Sequence, residues 1–562
     1  MNWQGLLSIG VFYIIVLGIG IWASRKSKIE ERKCNVRHSE VTIVGGRNLN
    51  ICVSIFTMTA TWVGGGYILG TAGLVYDPTK GLLWAVGPLA FSLNMLIGGT
   101  FFITPMRSKN YVTLMDPFQE KYGNTIAAVL FIPALLADLF WVASVLGALG
   151  ATVSVAMDIS FTLSVTISSA VAIIYTVLGG LYSVAYTDVI QLMFMIFGLV
   201  RPLAYYLYIL NSSFIRKAVN IMFFSNSQWF CVPFVLTSTY FNNITESAVK
   251  RVYQEPWIGQ IKLEDAGCWL DDLMLLAIGG ICYQAFYQRV LSAASDAQAK
   301  LTCFVGAVLC PILGIPSVLV GAVAASTDWN QTSFGERSPY EQGMAGFILP
   351  IALKHLCPFF VSVVGMGALA AAVMSSVDSA LLSAASQIAR NVYKNIIFKK
   401  ASERSIVVVI RVSIVLCGLL GTLLAITSTS VVLLWIVSAD VLYSVMTPQV
   451  FCTLFLSRWV NHYGACSGFV LGLLLRGLVG EPLLGLPSVL PLPWDKTLED
   501  GQIQHVVPFR AAIVIITFAT NLLVSQISMR KSAKGFLRTT EARIELKDIK
   551  CAEQFEPELE ED

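Results

Sequence analysis

Runs of roughly twenty apolar residues alternate along this chain with short polar stretches, where most of the charged residues gather. A helix crosses the hydrocarbon of a bilayer in about 20 residues. The pattern predicts thirteen spans, near 6–24, 50–75, 82–104, 126–153, 161–178, 186–200, 270–288, 302–325, 359–389, 406–426, 431–456, 464–479 and 509–528. The first has no basic lead-in and no small-residue cleavage site, so it reads as a retained helix rather than a signal peptide. Basic residues favour cytosolic loops, and Arg25, Lys26, Lys28, Arg32, Lys33, Arg37 and Arg47 follow that span. Counting alternately from there puts Arg107, Lys109, Arg289, Lys300, Arg390 to Lys400, Arg458, and Arg530 to Lys534 in the cytosol as well. The sequon Asn330-Gln331-Thr332 then falls outside, as a glycosyl acceptor must; sequons at Asn211 and Asn243, in the stretch 201–269, also count as outside. An odd span count gives an extracellular N-terminus and a cytosolic C-terminus. The tail from Lys531 ends in Glu556-Pro557-Glu558-Leu559-Glu560-Glu561-Asp562 and reads as a solvated cytosolic segment, with Cys551 a surface thiol.

Two spans are interrupted. The second contains Thr57-Met58-Thr59-Ala60-Thr61-Trp62-Val63-Gly64-Gly65-Gly66-Tyr67, and the seventh Gly279-Gly280-Ile281-Cys282-Tyr283-Gln284. Glycine costs a helix about 1 kcal/mol relative to alanine. Inside a bilayer an unwound segment persists only where its freed carbonyls and amides line a cavity or bind something. The bland alternative is that these small residues only let helices pack closely. Position favours the breaks: the two spans are five apart, and an odd offset inverts one half relative to the other. Paired interrupted helices in inverted repeats mark the binding site of a secondary transporter. The expected architecture is an all-α integral membrane protein with a 5+5 inverted-repeat core. Residues 1–49 form the first helix and a cytosolic loop, 50–456 the transport core, 457–528 two additional helices and 529–562 the tail. Span six and the stretch 201–269 are atypical within that core.

Composition agrees. The 562 residues are 56% hydrophobic and 13% charged, with mean hydropathy +0.70. A soluble domain is about 45–50% apolar and 25% charged, so a large soluble enzyme is excluded. Net charge of +3 argues against nucleic acid as a partner and leaves membrane lipid as the surrounding one. The twelve cysteines are scattered with no Cys-x-x-Cys, and with four histidines they suggest neither a disulfide scaffold nor a zinc module. No Walker motif occurs, so transport would draw on ion gradients or the membrane potential, worth about 2.3 kcal/mol per charge per 100 mV. No catalytic residues are expected; the chain reads as a carrier, not an enzyme.

In span nine, Asp378 lies within Met374-Ser375-Ser376-Val377-Asp378-Ser379, and Ser375, Ser379, Ser383 and Ser386 share a helical face beside it. A carboxylate at that depth is a functional candidate by default. Hard oxygens suit a small hard cation, so sodium is expected at Ser375, Ser376 and Asp378, completed by backbone at Thr59 and Ala60. The alternative is serines bonding back to their own helix. Asp138, Asp188 and Asp440 are the other acids at depth, with Arg411 a candidate partner. Asp138, a turn from Trp141, could face the cavity; Asp188 and Asp440 read as structural. Trp62 and Tyr283 sit at the breaks, with Phe91, Trp141 and Trp435 in spans three, four and eleven. Most membrane Trp and Tyr belong to interface belts, but mid-span positions fit that poorly. A ring cage with few polar groups suits a quaternary ammonium, at roughly 0.5–2 kcal/mol per ring. A sugar would need several amide or carboxylate partners, and Gln284 is nearly the only one at the breaks. A channel, a non-transporting sensor, or a symporter for a different solute remain open as competitors.

Several longer strings resemble a known family. They are Ile43-Val44-Gly45-Gly46-Arg47, Thr57 to Tyr67, Met115-Asp116-Pro117-Phe118, Gly179-Gly180-Leu181-Tyr182-Ser183-Val184-Ala185-Tyr186-Thr187-Asp188, Ser326-Thr327-Asp328-Trp329-Asn330-Gln331-Thr332, and Ala372 to Ser379. Over roughly 40–200 and 231–528 the chain resembles the high-affinity sodium-dependent choline transporters of the sodium:solute symporter family. The resemblance implies a LeuT-like fold of about thirteen helices and choline uptake driven by sodium and dependent on chloride. It also implies work at the plasma membrane of cholinergic nerve endings and in synaptic vesicles, feeding acetylcholine synthesis. By that likeness Trp62, Trp141 and Trp435 face choline, Ser375, Ser376 and the carbonyl of Ala372 hold sodium, and Asn330 is glycosylated. Tyr283 stands where the family carries Trp, and Phe91 where it carries Tyr. About 30 residues, including Arg201-Pro202 and Asn220 to Trp229, intervene between the Leu199 region and Cys231-Val232-Pro233-Phe234. They leave span six with about 17 apolar residues. The short tail shows no dileucine sorting signal of the family's kind.

Overall fold

The computed structural model describes residues 38–197 and 244–553, less positions 336, 429, 482–484, 491, 494 and 498–502, together with residue 235 and part of 10–25. Among the described residues nine helices are long and apolar enough to cross a membrane, and two more spans are each a bent pair of helices. In chain order the first bent pair is α1 (Ile51–Trp62) and α2 (Gly65–Tyr76). Then come α3 (Leu82–Ser108), α4 (Asn124–Met157) and α5 (Phe161–Phe197). The second bent pair is α6 (Ala266–Gly279) and α7 (Gln284–Ser292). After it come α8 (Asp296–Ala325), α9 (Phe359–Ile397), α10 (Glu403–Thr427), α11 (Val431–Phe455), α12 (His462–Val479) and α13 (Phe509–Glu553).

These eleven match the expected spans other than the first and sixth. The first is described only in part. The sixth continues α5 past a turn at Gly180, whose φ of 60° suits a residue without Cβ, and is helical to Phe197. The intervening residues 201–230 and the sequons at Asn211 and Asn243 lie outside the described residues, as does the acidic end of the tail. The only strands among the described residues are the two-residue pair Lys496–Thr497 and Ile503–Gln504, off the spans.

Local signals start and stop the helices. Asn50 caps α1 by accepting from Cys52 N at 2.9 Å, and Ser295 caps α8 by accepting from Gln298 N at 3.2 Å. The centre of the molecule is α9 and α11, whose apolar windows are 78% buried inside the protein, against 33% for α12 and 22% for α13. On α10, Leu416, Leu419, Leu420 and Leu423 are exposed apolar side chains, as a lipid-facing stripe requires. The two bent spans pack against α9, so any gap in their backbone bonding opens onto the least solvated part of the fold.

Both breaks exist, and both differ in detail from the glycine reading. The first bends 48° at Val63–Gly64, both outside helical φ/ψ. Gly65 and Gly66 are helical within α2. The second bends 54° at Tyr283, which is extended (φ −74°, ψ 132°), while Gly279 and Gly280 keep helical angles. What these glycines provide is close approach. A Cβ at Gly279 would lie 2.8 Å from the Tyr443 Cβ, and one at Gly280 2.6 Å from Asn94 Nδ2. For that pair the packing alternative holds.

Candidate functional site

Trp62 ends α1 at the first break and Tyr283 occupies the second, so both rings point where the helices part. Phe91 from α3, Trp141 from α4 and Trp435 from α11 complete the group, and all five are buried. Ring centroids are 5.0 Å apart for Trp62–Phe91, 5.8 Å for Trp62–Tyr283, 6.3 Å for Trp62–Trp141, 5.0 Å for Trp141–Tyr283 and 5.8 Å for Phe91–Trp435. Together with Thr61, Gly64, Gly65, Gly66, Tyr67 and Ser376 they close around a tight cavity of about 10 Å³, the rings lying nearly against one another. Gly66 lets the Trp435 ring lie close: a Cβ there would sit 3.1 Å from its Cγ. Tyr67, not anticipated from the sequence, stacks on Phe91 at 5.7 Å and ties its hydroxyl to Cys310 O. Among the described residues the cavity wall has no carboxylate. Trp62 Nε1 is a fully buried donor in it without a hydrogen-bond partner.

One residue before Trp62, the carbonyls freed at the first break meet a hydroxyl of α9. Val63 N still donates to Thr59 O at 2.9 Å, closing the last turn of α1. The next carbonyls, of Ala60 and Thr61, are met by Ser376 Oγ at 3.5 and 3.2 Å. Gly64 makes this possible, since a Cβ there would lie 1.7 Å from Ser376 Oγ. Ala372, one turn earlier on α9, is buried beside it. Thr59 is placed differently: its hydroxyl is buried without a partner and faces Gly306 of α8. Thr61 is the polar residue that meets α9, its Oγ1 3.2 Å from Ser379 Oγ.

The serine face of α9 divides among several partners. Ser375 Oγ donates to Asp188 Oδ1 at 2.5 Å, and Thr57 of α1 donates to Asp188 Oδ2. Arg289 of α7 is fully buried 3.7 Å from Asp188 and donates to Ser379. Arg289 is therefore not a cytosolic loop charge: with Asp188, which is structural, it clamps both broken spans to α9. Asp378 turns the other way, accepting from Thr176 of α5 at 3.0 Å with its Oδ2 unpartnered. Asp138 does not line the ring cavity. Asp440 is structural as expected, held by Arg476 at 2.8 Å and Arg510 at 3.1 Å, while Arg411 is exposed. Gln284 Oε1 accepts from Leu114 N at 2.7 Å.

Outside the spans, Asp116 of the Met115–Phe118 string is buried. Burial would raise its pKa, but Arg390 at 3.2 Å and the Thr113 and Val112 donors hold it below the usual carboxylate range. It anchors the loop between α3 and α4 to the end of α9. Asn330 is exposed on a short turn after α8, as a modified side chain must be.

Inverted broken helices enclosing a cavity define a secondary transporter of the LeuT-like fold. The sequence model of the sodium:solute symporter family matches residues 42–472, and the chain belongs to that family. It is 43% identical to the high affinity choline transporter 1 of Homo sapiens over 95% of this chain and 87% of that one. With the high-affinity choline transporter 1 of Drosophila melanogaster it shares 39% over 93% and 78%. A solved substrate-bound, outward-open Na+-coupled sialic acid symporter has the same fold, with TM-score 0.63 at 17% identity over 94% of this chain and 98% of that one.

Proposed function

We propose that this protein imports choline together with sodium by alternating access. The observation that carries the reading is the box of five buried rings at the junction of the two broken spans, with no carboxylate in its wall. A quaternary ammonium cannot donate a hydrogen bond and is held by aromatic faces. Three to five desolvated rings at about 0.5–2 kcal/mol each approach the ~8 kcal/mol of a micromolar ligand. The unpartnered Trp62 Nε1 supplies a donor for an alcohol oxygen, matching choline's hydroxyl.

Sodium binds where Ser376 Oγ meets the carbonyls of Ala60 and Thr61, with Ala372 O and Ser375 Oγ alongside. These oxygens are hard and largely neutral, as a monovalent cation requires. Because Trp62 follows Thr61 directly, an ion pinning these carbonyls also fixes the ring that faces the substrate. Sodium therefore tightens choline, and by linkage choline tightens sodium by the same factor. Moving net positive charge inward adds about 2.3 kcal/mol per charge per 100 mV.

The resemblance supports finer parts of the same reading. They are chloride dependence, residence in the plasma membrane with the N-terminus outside, a glycan on Asn330, presence at presynaptic terminals and synaptic vesicles, and supply of choline for acetylcholine synthesis. Radiolabelled choline uptake in transfected cells tests the core claim. Uptake saturates, falls to background when lithium replaces sodium, and is blocked by a second quaternary amine but not by glucose. Sodium-independent uptake, or inhibition by glucose, would remove the assignment.

A further inference from the structure

Three acids at membrane depth have arginine partners: Asp188 with Arg289, and Asp271 and Asp440 with Arg510. Asp138 has none among the described residues. It is 1% exposed, and its Oδ2 accepts only from neutral donors, Ser383 Oγ at 3.0 Å and Gln387 Nε2 at 3.1 Å. The other end of the same amide, Gln387 Oε1, is buried without a partner. The cluster thus offers a carboxylate, a hydroxyl and a carbonyl oxygen, with no positive charge facing them. Ionising a buried, unpaired carboxylate costs several kcal/mol, a cost that a cation arriving beside it would offset.

Its place in the path is defined by the ring box. Asp138 is one turn from Trp141 on α4, toward the end of α9 that carries Arg390, the cytosolic end in the reading above. Ser383 and Gln387 lie about 10–16 Å further along α9 than Ser376, at 1.5 Å per residue. A hydrogen-bonded link runs from the box to the backbone beside the carboxylate: the Tyr283 hydroxyl bonds Ser438 Oγ, and Ser438 Oγ donates to Ala137 O at 2.7 Å, the residue next to Asp138. Asp378 offers no such position, because it faces Thr176 on the far side of α9.

We propose that Asp138 is the anionic station that receives the organic cation as it leaves the rings toward the cytosol, a step that rests on the function proposed above. The test compares equilibrium choline binding with choline turnover in the purified full chain in proteoliposomes, for wild type, D138N and D138E. D138N keeps the binding constant within about threefold and turns over about tenfold more slowly, because the lost contact forms only in transit. D138E recovers most of the turnover. Wild-type turnover in D138N overturns the proposal. So does a parallel loss of binding and turnover, or a D138E no faster than D138N, since either marks a residue that only supports the box. A wild-type chain that binds no choline overturns the substrate reading itself, and this step with it.

Discussion

At the scale of single residues, the proposed sodium site turns on Ser376 and the atom missing from Gly64. Ser376→Ala removes the hydroxyl that meets Ala60 O and Thr61 O. It is expected to raise the sodium concentration for half-maximal uptake about tenfold, the effect of roughly one lost hydrogen bond at a charged ligand. Uptake measured against sodium concentration checks it; an unchanged sodium curve would take Ser376 out of the ion site. Asp378→Ala is the counterpart. Its carboxylate bonds Thr176 of α5, apart from the Ser376 contact, so sodium affinity is expected to stay within about threefold while thermal stability falls, by the usual cost of emptying a buried polar site. Asp378 was legible as a buried acid, but spacing alone could not say which side of α9 it faces. Tyr283→Trp presents the stronger cation–π face and is expected to lower the KM for choline a few-fold; a higher KM would count against a cation seated on that ring.

At the scale of elements, the two interrupted spans were visible in the sequence, yet their exact geometry was not. Glycine reads the same whether it frees a backbone or clears room for a neighbour. All three do the second: Gly64 clears room for Ser376 Oγ at the non-helical junction of α1 and α2, and Gly279 and Gly280 clear room for Tyr443 and Asn94 at helical positions. Shifting the first break by a residue or two exchanges Thr59, which faces Gly306, for Thr61, which faces Ser379. The loop between α3 and α4 gives a test at this scale. Asp116 is held below its ordinary pKa of 3.8 by Arg390 and the Thr113 and Val112 donors despite burial. A depressed carboxylate contributes stability that is present above its unfolded pKa and lost as pH falls through the folded one. Asp116→Asn is therefore expected to lower stability by on the order of 1–3 kcal/mol at neutral pH, discounted because Arg390 is partly exposed. The variant and wild type should converge only in acid, below about pH 4. Thermal unfolding in detergent across pH reads this; equal stability at pH 7 would dissociate the pair from the fold.

At the scale of the whole molecule, the eleven described spans, the inverted halves and the grouping of the rings could be read from hydrophobic pattern and aromatic placement, because both are set by the bilayer rather than by distant contacts. The clamp of Asp188, Arg289, Thr57 and Ser375 could not, because its members lie up to about 300 residues apart in sequence and only folding brings them together. In the proposed function the parts form one device: an ion at the end of α1 sets Trp62, and Trp62 closes the box. Equilibrium binding of choline to the purified chain, with and without sodium, examines that link directly. Sodium is expected to tighten choline at least tenfold in wild type, about 1.4 kcal/mol of coupling, and by much less in Ser376→Ala. Equal choline affinity in sodium and in lithium would contradict it.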